Sequence, residues 1–306
     1  MIAGVSHGGT TSLFTYLAAH PEICSSKIKE THYFYPIMAG TSLPPLHEYQ
    51  KYFRHCGNQR YVMEAGPGYL YGGRELALLI RKILGDVKLI FILREPVSML
   101  YAYFKYNHKV MQLEEVSFGD FVKKAFARLH DTSLSKLEKT QDCMSLALEG
   151  GFYAKYLEEW YTVFGDSLIK VVFFDDLKDR PRELMEGLSN WLNIDSDCYD
   201  AGKFMAENRG FYFRNKAFHR VACGINTKFE FFFRQYPAIK RLLMRLYVLN
   251  IQENPFALDG ETKILLEKFY APYNKELYAL LQEKGYRHNI PSWAASADHE
   301  YQAQES

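Results

Sequence analysis

Residues 4–12, Gly4-Val5-Ser6-His7-Gly8-Gly9-Thr10-Thr11-Ser12, gather three glycines and four hydroxyls in one short stretch. Ahead of them, Met1–Val5 suits a short buried strand. Behind them, Thr10–His20 reads as a helix with Leu13, Tyr16 and Leu17 on one stripe. Strand, glycine turn and helix start bring free backbone N–H groups and the positive helix end to one place, which makes a cradle for an anion. The stretch nearly fits G-x-x-x-x-G-K-[ST]. Gly4 and Gly9 match, but Thr10 stands at the lysine position and Thr11 at the hydroxyl position. Nucleoside triphosphate chemistry needs that lysine against the β- and γ-phosphate charge. The loop therefore argues against an ATPase or GTPase, and His7 stands near where a charge is wanted. A glycine turn that merely packs its helix is the alternative.

Three more side chains could act with such a loop. Arg94 follows the apolar run Leu89–Leu93, where a guanidinium can grip a phosphate in two places. A structural salt bridge is its other reading. Glu30 and His32 lie in a dense polar cluster. A carboxylate whose pKa is raised by burial can take a proton from a hydroxyl. His32 is the rival base, because imidazole titrates near neutrality. Glu30 paired with Lys27 or Lys29 on a solvated loop is the alternative. Asp175 and Asp176, at the end of a late strand, are candidates to hold a metal, although no metal is expected.

These residues need a scaffold, and the pattern supplies one. Leu89–Leu93 and the run from Leu168 to Phe174 read as strands buried on both faces. Helical segments fall between them: the stretch from Glu75 to Gly85, most of 97–149, the run from Gly151 to Gly165, the stretch from Arg180 to Ile194, and one or two helices from Glu261 to Gly285. Alternation of this kind argues for a parallel α/β sheet. No repeat and no dividing linker is visible. One domain over 1–306 is expected, with a basic and aromatic insertion at about 214–255 and a mobile tail from about 293. The insertion reads as a helical pair packed on the sheet, a lid, a dimer interface or a membrane-surface contact.

Composition sets outer limits. Lys and Arg (37) balance Asp and Glu (36), so no global basic field argues for nucleic acid. The apolar fraction of 48% marks an ordinary folded protein, and 23 Tyr with 22 Phe favour a cleft with amphipathic walls. The five cysteines, Cys24, Cys56, Cys143, Cys198 and Cys223, are widely spaced and without CxxC. That reads as reduced thiols in a cytoplasmic enzyme. No secretion signal or membrane span is visible. Gly4 comes so soon after Met1 that an extension upstream is also expected.

Taken in order, the blocks resemble the sulfotransferases that use 3′-phosphoadenosine 5′-phosphosulfate (PAPS). The loop from Gly4 to Leu13 is similar to their 5′-phosphosulfate loop, G-V-x-K-x-G-T-[TR]-x-L. The segment Ile28–Phe34 resembles the K-E-x-H-F-F block of the heparan-type branch. Leu89–Pro96 resembles the strand and R-x-P that grip the 3′-phosphate, and Asn208–Tyr212 resembles the late K-G-F-Y loop over the same phosphate. Gly151–Trp160 and Ala271–Leu277 look like the family's G-x-Y-x-x-x-L-x-x-W and A-P-Y-N-x-E-L helices. The resemblance covers residues 1 to about 285.

It implies a P-loop-like three-layer α/β domain with a central parallel sheet flanked by helices. It implies PAPS as co-substrate, the 3′,5′-bisphosphate PAP as product, and transfer to a hydroxyl. The acceptor would be a carbohydrate or glycolipid, with a lipid or small metabolite as the alternative. By residue, Ser6, His7, Gly8, Gly9, Thr10, Thr11 and Ser12 would hold the 5′-phosphosulfate. Arg94, Ser98, Arg209 and Gly210 would hold the 3′-phosphate, and Glu30 would be the base, with His32 orienting the acceptor. Ser98 enters because Ala102 stands where the family has a serine eight residues past the arginine. His7 replaces the family's loop lysine, and protonated it could donate to the leaving oxygen. Glu64–Pro67 replaces the E-K-[TS] segment, so that lysine is absent too, and Lys29 is the nearest substitute cation. A nucleotide kinase and a non-catalytic nucleotide-binding scaffold are the rival classes. Nothing in the sequence sets the oligomeric state.

Overall fold

Five short strands run the same way through the protein: β1 (Ile2–Gly4), β2 (Ile23–Ser25), β3 (Tyr61–Met63), β4 (Leu89–Leu93) and β5 (Ile169–Phe173). In the computed structural model, which describes residues 1–110, 116–129, 147–199, 204, 212–213, 251–252, 258–287 and 290–295, β1, β4 and β5 pair parallel in the order β1-β4-β5. β2 and β3 pair parallel beside them. Ile2 joins the two sets, donating to the Glu64 carbonyl and accepting from Gly66 N–H, each at 2.9 Å. The result is one parallel sheet in the order β2-β3-β1-β4-β5.

Apolar runs explain the layering. All five residues of β4 are buried, as in a strand covered on both faces. On one face, α1 (Thr10–Ala18) and the Pro181–Leu192 helix bury Leu13, Leu17, Met185 and Leu188 against Ile2, Ile90, Ile92 and Val172. On the other face lie the Gly73–Leu84 and Tyr153–Phe164 helices. Trp160 meets Phe91 edge-on at 5.4 Å and donates from its indole N–H to the Leu70 carbonyl at 3.0 Å. The first of these helices stops at Gly85, whose φ of 76° suits a residue without Cβ. The sheet thus sits between two helical layers, the α/β architecture expected.

By contacts the chain divides into two units, Met1–Asn208 with Asp259–Ser306, and Arg209–Leu258. In the second, Tyr212–Phe213 and Ile251–Gln252 pair antiparallel. The remainder of the expected insertion lies outside the described residues. Ser292–Ala295, near the start of the tail expected to be mobile, forms a helical turn in which the Trp293 indole N–H donates to Asp175 at 3.2 Å. Asp176 is bound to Arg180 at 2.5 Å. Both candidate metal-holding aspartates are therefore engaged in helix packing.

One expectation is overturned. Cys24 and Cys56 form a disulfide, with Cα atoms 5.7 Å apart. It ties β2 to the turn after Phe53. The expectation of reduced thiols fails for this pair, and the cysteine argument for a cytoplasmic chain falls with it. Among the described residues no helix is long and apolar enough to cross a membrane.

Candidate functional site

Parallel pairing sends the loops that follow β1, β2, β3 and β4 to the same edge of the sheet, where ligands bind in folds of this type. The first loop, Val5–Gly9, turns the chain from β1 into α1. Val5 N–H donates to the Ile92 carbonyl at 2.8 Å, and Gly8 N–H closes the turn on the Val5 carbonyl at 3.1 Å. A Cβ on Gly8 would lie 2.9 Å from the Ile92 oxygen. Gly9 has φ of 90° and is hemmed in by Leu177 and Phe174, so only glycine fits there without strain. His7 also has positive φ, 61°, a conformation that costs a non-glycine residue about 1–3 kcal/mol.

The loop leaves donors unspent. Among the described residues, the N–H groups of Ser6, His7, Gly9, Thr10 and Thr11 have no backbone acceptor. They sit at the positive end of nine-residue α1, whose N-cap Gly9 offers no side chain. Thr10 and Ser12 are buried beneath them.

Arg94 closes this cradle from the end of β4. Its Nη1 donates to the His7 carbonyl at 2.9 Å, and the guanidinium lies 4.4 Å from the Phe174 ring centroid. Its Nε is buried and has no partner among the described residues. Burial pulls its pKa down, against partial support from Tyr153, Glu95 and Asp175. Those acids are committed elsewhere: Glu95 accepts from the N–H groups of Val97 and Ser98 at 3.0 and 2.6 Å, and Asp175 accepts from Trp293. Among the described residues Arg94 makes no salt bridge. Ser98 lies in the first turn of the Pro96–Val110 helix, half-buried.

The His7 ring packs against that helix, 5.9 Å from Tyr103 and 5.2 Å from Tyr106. Burial, and then the Arg94 charge, lower its pKa to about 4. His7 is therefore neutral at pH 7 in this state and has one N–H to donate, not two.

Glu30 stands on the loop after β2. It pairs with Lys29 at 3.5 Å, and the Tyr35 hydroxyl donates to it at 3.0 Å. The side chains of the ion pair are only 12% and 24% exposed, so the pair is sheltered and not a solvated surface contact. Tyr35 in turn accepts from Gly68 N–H at 3.0 Å, which links this loop to the one after β3. Beside it, the Thr31 hydroxyl donates to the buried Glu64 carboxylate, whose pKa burial raises. His32 is exposed, with φ of 56°, against the Tyr35 ring at 5.2 Å. Ala65, at the position of the second absent lysine, is fully buried in the core beside Ile2.

Ser6, His7, Gly8, Gly9, Thr10, Thr11, Ser12, Arg94 and Ser98 therefore lie on one loop and the segment stitched to it. Glu30 and His32 emerge at the same sheet edge from β2. Arg209 and Gly210 lie outside the described residues. Tyr35, Tyr103 and Tyr106 were not anticipated; the spacing of three between Tyr103 and Tyr106 on the helix after Arg94 was the available signal.

Residues 1–216 match the family described as the sulfotransferase domain. The chain belongs to that family. It is 22% identical over 97% of its length to bifunctional heparan sulfate N-deacetylase/N-sulfotransferase 1 of Caenorhabditis briggsae, covering 31% of that protein. It is 25% identical over 92% of its length to mouse heparan sulfate glucosamine 3-O-sulfotransferase 3B1, covering 62% of it. The chain thus spans less than two thirds of either relative. The crystal structure of a sulfotransferase from Alicyclobacillus acidocaldarius has the same fold, with a TM-score of 0.65 at 18% identity over 95% of this chain and 96% of that one.

Proposed function

We propose that this sulfotransferase-family chain moves a sulfuryl group from PAPS to a hydroxyl of a carbohydrate or glycolipid acceptor. The observation that carries the reading is the loop of unspent N–H groups locked to Arg94, whose buried Nε is itself unpartnered. Two anion-binding devices side by side suit a nucleotide with a phosphate at each end of its ribose. PAPS supplies an activated sulfuryl group and the PAP leaving group.

In this scheme the N–H groups of Ser6–Thr11 and the hydroxyls of Thr10, Thr11 and Ser12 hold the 5′-phosphosulfate and take up its developing charge. Arg94, with Ser98, holds the 3′-phosphate; the assignment of Arg209 and Gly210 to it rests on the sequence resemblance alone. Glu30 accepts the acceptor's proton as the hydroxyl oxygen attacks sulfur in line and the bridging S–O bond breaks. His32 orients the acceptor, and His7 donates its N–H toward the leaving oxygen. No metal enters the scheme.

The named relatives act by N- and by 3-O-transfer. The test is therefore a panel of carbohydrate hydroxyl and amine acceptors with radiolabelled PAPS, run beside calorimetry with PAP. Micromolar PAP binding with label on a hydroxyl supports the reading. Label on amines alone would overturn O-transfer. PAP binding with no transfer to any class would favour the scaffold, and transfer from ATP a kinase.

A further inference from the structure

Cys24 lies buried in the middle of β2, and His55 and Cys56 lie on the turn after Phe53. The two Sγ atoms and a ring nitrogen of His55 all fall within 4.8 Å of one another. His55 Nε2 is 3.6 Å from Cys24 Sγ. Two ligands of one tetrahedral zinc ion, bound at about 2.3 Å through sulfur and about 2.0–2.1 Å through nitrogen, stand roughly 3.5–3.8 Å apart. The imidazole is therefore already at the spacing a shared ion requires, and the sulfurs have only to part.

Contacts other than the bridge hold the two segments together. Lys27 N–H donates to the Tyr52 carbonyl, and Cys56 N–H closes the turn on the Phe53 carbonyl, each at 2.9 Å. The Tyr49 ring packs against Tyr33 at 4.8 Å and against Phe34 at 5.5 Å. Opening the sulfur–sulfur bond thus leaves the three groups side by side. Two thiolates and an imidazole are a donor set for zinc. His55 is exposed, which gives an ion a way in.

We infer that Cys24, Cys56 and His55 bind a zinc ion when the bridge is open, so that disulfide and metal are alternative states of one site. A dithiol reductant passes two electrons and two protons to the bridge and becomes a disulfide itself. The two thiols then release their protons to solvent as they take the cation. His55 binds as neutral imidazole through Nε2, and water fills the fourth position. The inference does not depend on the proposed transfer reaction.

The test uses the full chain, reduced with a phosphine and freed of it, with cobalt(II) as the probe. One equivalent should raise a thiolate-to-cobalt charge-transfer band, and zinc should bleach it. The oxidised chain should give no band. Cys24→Ser and Cys56→Ser should each abolish it. His55→Ala, on an exposed turn, should weaken cobalt binding by at least the roughly 10- to 100-fold that losing an outer-shell partner costs, and His55→Cys should restore it. Absence of the band in the reduced wild type overturns the site. So does a band that persists in both serine variants, since other cysteines then hold the ion. Unchanged affinity in His55→Ala removes the three-ligand assignment. Loss of the helical circular dichroism on reduction also overturns it, because the remaining contacts then do not keep the ligands together.

Discussion

Arg94 reaches back from the end of β4 to donate to the main-chain carbonyl of His7, 2.9 Å away. The bond fixes the guanidinium against the loop and leaves its Nε free of any described partner. Arg94→Ala should therefore damage both loop and phosphate grip. PAP affinity should fall roughly 10- to 100-fold, the usual scale for a charge-assisted hydrogen bond. Arg94→Lys should not restore it, because an ammonium cannot serve the carbonyl and a phosphate with one fork. Calorimetry decides this, and near-wild-type affinity in Arg94→Lys would count against a bidentate role.

His7 gives a pH prediction. Its pKa is lowered to about 4 in the folded chain, against about 6.5 unfolded. Between those values the unfolded chain binds the proton and the folded chain does not. Stability therefore rises with pH across that window and is lost as pH falls through it. His7→Gln removes this contribution. The urea midpoint of the wild type should fall relative to that of the variant as pH drops from about 6.5 to about 4. Parallel curves would mean that the imidazole is not buried as described.

Glu30 is assigned proton acceptance, not nucleotide binding. Glu30→Gln should lower kcat roughly 10²–10⁴-fold, the range for general-base loss, with PAP affinity unchanged. Tyr35→Phe should have a smaller effect, since it removes one donor to the carboxylate and the link to Gly68. If Glu30→Gln retains its rate while His32→Gln loses it, the base is His32.

The Cys24–Cys56 bridge closes a separation of 32 residues. In the chain-entropy account such a loop is worth about 3–4 kcal/mol. Reduction, or Cys24→Ser with Cys56→Ser, should lower Tm by several degrees. Thiol titration of the denatured protein should find two more thiols after reduction than before. An unchanged thiol count would remove the bridge.

The sequence makes some parts of this structure plain and hides others, for physical reasons. β4 and β5 are continuous apolar runs, and α1 follows a glycine turn, so each is set by its own residues. β2 and β3 are three residues long, too short for any periodicity, and are strands because their neighbours pair with them. The loop and Arg94 are legible because an anion cradle needs glycines and a helix start close together in the chain. The disulfide is not, because no local pattern records a partner 32 residues away. The neutrality of His7 comes from burial and the neighbouring Arg94, which the residue type alone does not announce.

The two stitches between the Val5–Gly9 loop and β4, Val5 to Ile92 and Arg94 to His7, have a mechanical consequence. The two jaws of the proposed donor site, the loop and Arg94, are tied to the same strand end and should move together. Such a site acts as a fixed-gauge caliper: it measures the span between two anionic groups and does not adjust to it. A nucleotide whose second phosphate sits on the 2′-oxygen carries the same charge at the wrong span, and the caliper should refuse it.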